Sequence, residues 1–497
     1  MGRVLRGIAG LCACLSLAAH AQYKAILLHS AGLGPNSWAY GTGGGAQVGA
    51  GGDAFTRHAF YWNGSAGSVV DINPTGCTLS EVFGISGTQE TGDGSGPGTQ
   101  SHTHAFLWNW PWGGAVDLNP SGFYSSSAEG ISGSFQVGGG SPTSSDPTHA
   151  LLWSGTAASY VDLHPIGFLR SYAHSVSGSS QVGFGSDAFL GGNLHALLWS
   201  GTAASVVDLT SAAFPYSEAY GISGNTEVGY GNGPPSNGNN HALMWTGTAA
   251  SLVDINPPGI TTSVAHAVLG GAEVGWGDGR ALLWEGSSPS ATELQPFLKG
   301  LGYQGAPLIL LGSQAWALDA DGNIVGNGTD SGGSHYAVMW VQSPTRTISG
   351  SVTLQNYSPS AVAGTPISVE IRWPGTAIVI DSYVVTLDSA GNFSFVTPVN
   401  PGSFDIAMKA SHWLRKKLLN QTLGETGISG LHFSLINGDI NGDNSISLAD
   451  FGQLKLAYGS VPGSGNWNAN ADLDGNGSVG LSDFGILKLH YGLSGDS

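Results

Sequence analysis

The chain has 497 residues, 80 of them Gly; only 10% are Asp, Glu, Lys or Arg, and the formal net charge is −18. This excess of carboxylates argues against nucleic acid and anionic membrane surfaces, whose phosphates recruit clustered Lys and Arg. It suits a neutral or cationic partner, or bound calcium.

Residues 1–21 read as an export signal: Arg3 and Arg6, an apolar stretch over 8–18, then Ala19-His20-Ala21 as a small-x-small cleavage signature. Leu11-Cys12-Ala13-Cys14 offers an alternative, lipidation at Cys14. Beyond the signal only Cys77 remains, so no intrachain disulfide is expected. No later run reaches the 18 apolar residues of a membrane span. The chain is therefore expected to be secreted and not transmembrane.

A repeat follows. His-Ala-x-x-Trp occurs at His58–Trp62, His104–Trp108, His149–Trp153, 195–199 and His241–Trp245, with degenerate copies ending at Trp284 and Trp340. A spacing near 45 residues with short alternating segments is what a propeller blade needs. Each period holds four short strands, here called a to d, separated by turn residues. Strands a, b and c occur seven times and strand d only six, but an orphan apolar stretch over 24–28 precedes the first copy. It is expected to supply the missing strand d and close a seven-bladed β-propeller over 22–344, leaving no exposed edge. The repeated Trp residues read as core between blades. The Asp of strand d (Asp71, Asp117, Asp162, Asp208, Asp254) reads as an acceptor for turn or histidine hydrogen bonds. Asp319-Ala320-Asp321-Gly322-Asn323 reads as a hairpin turn.

The repeats resemble the HAF family of probable extracellular repeats, with His58-Ala59-Phe60 and His104-Ala105-Phe106 matching outright. That resemblance implies a secreted repeat protein and no particular reaction.

Two positions vary between copies, and variation is where function is expected. The second residue of strand a reads Tyr40, Phe83, Glu129, His174, Tyr220, His266, Trp316. The residue after Val-Gly in strand b reads Ala50, Asp93, Gly139, Phe184, Tyr230, Trp276, Asn327. Both sets are expected to crowd one rim, with Phe184, Tyr230 and Trp276 on consecutive blades and Tyr220, His266, Trp316 and Glu129 beside them. Such a rim suits a carbohydrate or a peptide. Glu129 and Asp93 form a conceivable glycosidase pair.

From 345 the period breaks. About seven short strands over 345–436 point to a β-sandwich spacer, which looks like carboxypeptidase-regulatory or transthyretin-like sandwiches. Arg415-Lys416-Lys417 reads as a solvated edge that discourages strand pairing.

The C-terminus carries the best-defined chemistry. Asp439, Asn441, Asp443, Ser445, Ser447 and Asp450 fall at positions 1, 3, 5, 7, 9 and 12 of an EF-hand-type calcium loop. Asp472, Asp474, Asn476, Ser478 and Asp483 repeat the pattern, with Gly480 at position 9. Each loop runs into a matching helix, over 451–459 and 484–492. This duplicated loop-helix resembles a type I dockerin, spanning 437–497. The resemblance implies two Ca2+ sites, calcium-dependent folding and docking to a cohesin. Recognition would involve Leu448, Ala449, Leu481 and Ser482 at loop positions 10 and 11, where the family often carries Ser-Thr, with Lys455 and Lys488 at the edge of the contact.

The fold class is thus mainly β: a seven-bladed propeller, a sandwich and a small α-helical dockerin. The expected function is a secreted, non-catalytic binding or adhesion protein attached through its dockerin to a cohesin-like or cell-surface partner. A dockerin-bearing polysaccharide-degrading enzyme, or a structural surface-layer protein, are the alternatives.

Overall fold

A computed structural model describes residues 22–109, 114–187 and 192–497. The export signal and Cys14 lie outside them. Among the described residues no helix is long and apolar enough to cross a membrane.

The described residues of 22–343 form seven four-stranded antiparallel sheets. Six run a-b-c-d in chain order. The seventh takes Leu310–Leu318, Ile324–Asp330 and His335–Ser343 from the end of the repeats and its fourth strand, Gln22–Leu27, from the start. Ala25 lies opposite Trp340 in that pairing. The orphan stretch over 24–28 thus falls in this strand and the residue after it. Neighbouring sheets pack in chain order, and the seventh packs on the first, so the sheets form a closed ring. The expected d strands are shorter than their apolar runs suggest; Val70–Asp71, for instance, is only two residues long.

One hydrogen bond repeats at every junction. The second residue of each repeat motif, always Ala, donates its backbone N–H to a Ser on the next sheet's first strand: Ala59 to Ser80, 2.9 Å, and Ala150 to Ser171, 3.0 Å. The last member, Ala337 to Ser37 at 2.9 Å, joins the seventh sheet to the first. The motif Trp side chains fill the same junctions. Trp62, Trp108, Trp284 and Trp340 each donate Nε1–H to a carbonyl of the preceding sheet, at 2.8–3.1 Å. All seven Trp are buried, and each such ring contributes about 4–6 kcal/mol of apolar burial as an upper bound. On the outside, His58, His104, His149, His195 and His241 hold the strand-d Asp at 2.7–2.8 Å. Arg280 and Glu293 replace that pair in the sixth sheet, at 2.9 Å.

The next seven strands form a three-stranded and a four-stranded sheet that share one core around Ile348, Val369, Phe404, Trp413 and Phe433. Arg346 is wholly buried where this core meets the ring. Its guanidinium donates to the carbonyls of Tyr23, Val399 and Pro398 and to Ser343 Oγ.

Two helices end the chain, α1 (Leu448–Ala457) and α2 (Leu481–His490). Both start three residues earlier than the apolar pattern suggests. The reason is local: Ser447 caps α1 by accepting from Ala449 N–H, while Asp450 Oδ2 accepts from Ser447 N–H at 2.8 Å, a capping box. Both end before glycines with positive φ, Gly459 and Gly492.

Candidate functional site

Every first strand of the ring carries a β-bulge, and in every case the bulged residue is the variable one. The register slips between Ala39 and Gly41, Val82 and Gly84, Ala128 and Gly130, and at the same place in the other four sheets. A bulge re-aims its extra side chain. Seven of them turn Tyr40, Phe83, Glu129, His174, Tyr220, His266 and Trp316 onto one axial cavity of about 360 Å³. The bulge also explains the glycine that follows each strand-b Val or Thr. A Cβ on Gly138 would lie 1.9 Å from the Ser127 carbonyl oxygen that the bulge pushes inward, and the equivalent glycines are as tightly held.

Aromatic contacts run round the cavity wall. Phe83 meets Tyr40 at 5.5 Å between centroids, Tyr40 meets Trp316 at 5.8 Å, and His266 stacks on Trp316 at 4.2 Å. Tyr220 then meets His266 at 5.6 Å and His174 at 4.9 Å. His174 lies between two carboxylates from the sheets on either side: Nδ1 is 2.6 Å from Glu129 and Nε2 is 2.8 Å from Glu218. Burial alone would lower the His174 pKa, but these two carboxylates raise it to about 10. Burial likewise opposes ionisation of Glu218, and His174 outweighs it, holding that carboxyl below its usual range. His266 is pushed down to about 4 by burial and is neutral near pH 7; its Nδ1 is 2.8 Å from the Ala315 carbonyl.

The strand-b set does not join this cavity, against the expectation of one shared rim. It stands one strand further out, because only the first strand of each sheet reaches the axis. Tyr230 is buried, with its ring behind Tyr220 and its hydroxyl donating to Glu218 at 3.0 Å. Phe184 is half-buried against Tyr172, under the Arg170 guanidinium, and Trp276 is half-buried between Val264 and Ala281 on the flanking strands. Asp93 lines a different cavity with Arg57 and Glu81. Burial, and then the Glu81 and Glu129 charges, push its carboxyl up to about 7, although Ser127 donates to it. Asp93 and Glu129 therefore do not face one another across a shared cleft. Glu218, which sequence reading missed, is the carboxylate that does join the site; its only signal is an acidic residue directly before the strand-a Ala.

In the second C-terminal loop, Asp472, Asp474 and Asp483 bring carboxylate oxygens within 4.8 Å of one another. Burial and the charges of Asp483 and Asp474 raise the Asp472 pKa, the mark of a site that a cation would relieve. Asp472 Oδ2 accepts from Gly477 N–H at 2.9 Å, and Asp483 accepts from Leu473 and Gly480 N–H, both at 2.7 Å. The first loop repeats this. Asp439 Oδ2 accepts from Asn444 N–H at 2.9 Å, and Asp450 accepts from Asn441 at 3.1 Å and Ser447 at 2.8 Å. Asp439 Oδ1 is buried without a hydrogen-bond partner, which an inward-facing cation ligand would be. The converging carboxylates of the second loop fit a hard divalent cation. Asn441, Asp443 and Asn476 stand in the loop turns and each accepts from the N–H two residues on, while Ser445 Oγ lies 3.0 Å from Ser494 Oγ and Ser478 Oγ donates to Asn476 Oδ1 at 2.6 Å.

Sequence reading missed Lys409, whose ammonium reaches from the preceding unit to Asp439 Oδ2 and the Trp413 carbonyl. Arg415-Lys416-Lys417 does lead into an edge strand, Lys416–Leu423, with Lys416 exposed, but its start is covered. Arg415 N–H donates to Asn444 in the first loop at 2.7 Å, and Lys417 N–H to Asp496 at 2.7 Å, so the chain's last residues and that loop cover the strand there. The proposed recognition residues are solvent-facing. Leu448 is 70% exposed and Leu481 76%, and Ala449, Ser482, Lys455 and Lys488 are also exposed.

Residues 437–490 match the Dockerin type I domain. Type I dockerin domains are calcium-binding, in keeping with the oxygen donors of the two loops. Similar solved structures include a C-terminal interface mutant of a type II cohesin-X-dockerin complex from Acetivibrio cellulolyticus. The identity is 22%, covering 30% of this chain and 97% of that one, with a TM-score of 0.26. The β-propeller domain of the Trilobed protease from Pyrococcus furiosus is similar at 11% identity over 65% of this chain and 94% of that one, TM-score 0.42. TolB from Acinetobacter baumannii is similar at 11% identity over 60% and 80%, TM-score 0.32. None of the curated proteins compared with the chain matches it.

Proposed function

We propose that this is an exported attachment protein. Its dockerin, over 437–497, docks on a cohesin-like partner when both loops hold calcium, and its ring, a seven-bladed propeller over 22–344, offers the axial cavity to a ligand. The unit over 345–436 is a sandwich spacer between them. The match of 437–490 to the dockerin type I domain carries the reading. The matched exposed side chains of α1 and α2 support it: Leu448 with Leu481, Leu456 with Leu489, and Tyr458 with Tyr491. Contiguous exposed apolar side chains of this kind mark a protein contact. Capture of the full chain on immobilised cohesin modules tests the reading. Binding should vanish with chelator, and should weaken in Leu448→Asp and in Leu481→Asp. Calorimetry with calcium should show two sites, one removed by Asp439→Ala and the other by Asp472→Ala. Capture that survives chelator would refute it.

A further inference from the structure

We propose that the axial cavity binds an organic cation, an alkylammonium group held against Glu129 by the surrounding aromatic rings. The proposal rests on reading that cavity as a ligand site, and it names the ligand's class.

Charge is the first argument. Among the described residues no Lys or Arg lines the cavity. Glu129, His174 and Glu218 form a chain of two carboxylates and one imidazolium, which leaves one negative charge unbalanced. Of the two carboxylates, Glu129 is the accessible one, with 34% of its side chain exposed against 8% for Glu218. His266 adds no opposing charge near pH 7, because its burial in the wall against Trp316 pushes its pKa down to about 4.

Hydrogen-bonding capacity is the second. A sugar needs donors and acceptors for its hydroxyls, yet the wall's polar atoms are largely engaged already. Trp316 Nε1–H donates to Asn327 at 2.9 Å, both His174 nitrogens face carboxylates, and His266 Nδ1 meets Ala315. An alkylammonium group needs none of these. It is attracted by the negative faces of Trp and Tyr rings and by a nearby carboxylate. Four rings on the wall, from Tyr40, Phe83, Tyr220 and Trp316, together with one accessible carboxylate, make up that recognition set.

The test is calorimetric titration of the full-length protein with phenyltrimethylammonium, its uncharged isostere tert-butylbenzene, and a neutral cello-oligosaccharide. The cation is expected to bind saturably, and the isostere and the sugar are not. Glu129→Gln should weaken the cation at least about tenfold. Should that change disturb the His174 pairing and the fold, Phe83→Leu removes a ring that packs on Tyr40, keeps all three members of the Glu129–His174–Glu218 chain, and is expected to weaken the cation severalfold. Added salt should weaken it in the wild-type protein. Equal binding of the isostere would overturn the proposal, because the cavity would then be merely apolar. Binding of the sugar instead would overturn it while leaving the cavity a ligand site. Failure of all three to bind would overturn both the proposal and the cavity's role, and the dockerin reading would stand untouched.

Discussion

The position before the strand-b Val-Gly offers a sharp test of how the ring is held. Gln47, Gln136 and Gln181 occupy it in three sheets, and each does two things. Nε2–H donates to the carbonyl two residues back, at 2.8–2.9 Å, and Oε1 accepts from a glycine N–H across the c–d turn, at 2.8 Å. Glu227 and Glu273 hold the position in two others. Their Oε2 accepts the same glycine N–H, from Gly247 at 2.7 Å and Gly286 at 3.1 Å, but each Oε1 is buried without a partner. An oxygen thus stands where the glutamine amide donates. Only a protonated carboxyl could serve there, and burial pushes Glu227 up and Glu273 up to about 7 from 4.5.

The sign follows from linkage. A carboxyl whose folded pKa is raised favours the unfolded state increasingly as pH climbs from the unfolded value through the folded one. Below 4.5 Glu273 costs nothing; well above 7 the displacement is worth about 3 kcal/mol, or about 2 kcal/mol after allowance for relaxation. Glu273→Gln removes that cost and restores the donor. Its melting temperature should therefore match the wild type near about pH 4 and exceed it by about 3–4 °C near about pH 8.5, at constant calcium. The reverse change, Gln136→Glu, should install the same loss at high pH. A gain that is independent of pH, or a variant less stable than the wild type at high pH, would refute the reasoning.

Three further outcomes follow from the same geometry. Gly138→Ala should destabilise the ring by roughly 3 kcal/mol or more in denaturant unfolding, since its Cβ would meet the Ser127 carbonyl oxygen at 1.9 Å. The His174 imidazole should keep its proton throughout roughly pH 5 to 8 in an NMR titration and should lose it, turning neutral across that range, once both Glu129→Gln and Glu218→Gln are made and burial alone acts on it; the stability it lends is fully present below 6.5 and is lost as pH rises through about 10. Asn400→Ala removes bonds to Ala25 N–H, Phe297 O and Lys299 O at 2.8, 2.7 and 3.0 Å, and should cost about 3 kcal/mol by chemical denaturation.

The strand inventory was legible because turn glycines and a Trp every period mark it. The dockerin loops were legible because oxygen ligands must fall at fixed positions of a twelve-residue turn. The axial cavity was only half legible. Variation at Tyr40, Glu129 and Trp316 flagged these residues, but a period-two reading of a strand cannot show a bulge, and without the bulge strands a and b look equivalent. This is why Phe184, Tyr230 and Trp276 were assigned to a cavity they do not line. Glu218 and Lys409 were invisible for another reason. Each acts on a partner far away in sequence, His174 from 44 residues and Asp439 from 30, and nothing local marks it.

The three parts of the chain are also joined in a way that gives attachment a mechanical meaning. The ring closes through Gln22–Leu27, and that strand is the one the middle unit grips. Arg346 donates to the Tyr23 carbonyl at 2.7 Å, Asn400 accepts from Ala25 N–H, and Lys24 pairs with Glu425 at 2.6 Å. The middle unit in turn holds both C-terminal loops, through Lys409 and Arg415 on the first and through the Ser358 N–H, which donates to the Asp474 carbonyl at 2.9 Å, on the second. A pull on the dockerin enters the ring along the backbone from Arg346 to Ser343, and the middle unit's bonds to Tyr23, Ala25 and Lys24 share that load with the closing strand beside it. Short antiparallel strands zipped one bond at a time would open readily under such a pull. The wholly buried Arg346 bonds at once to the Tyr23 carbonyl of the closing strand, to Ser343 of the strand paired with it and to Val399 and Pro398 of its own unit, so one side chain bridges all three.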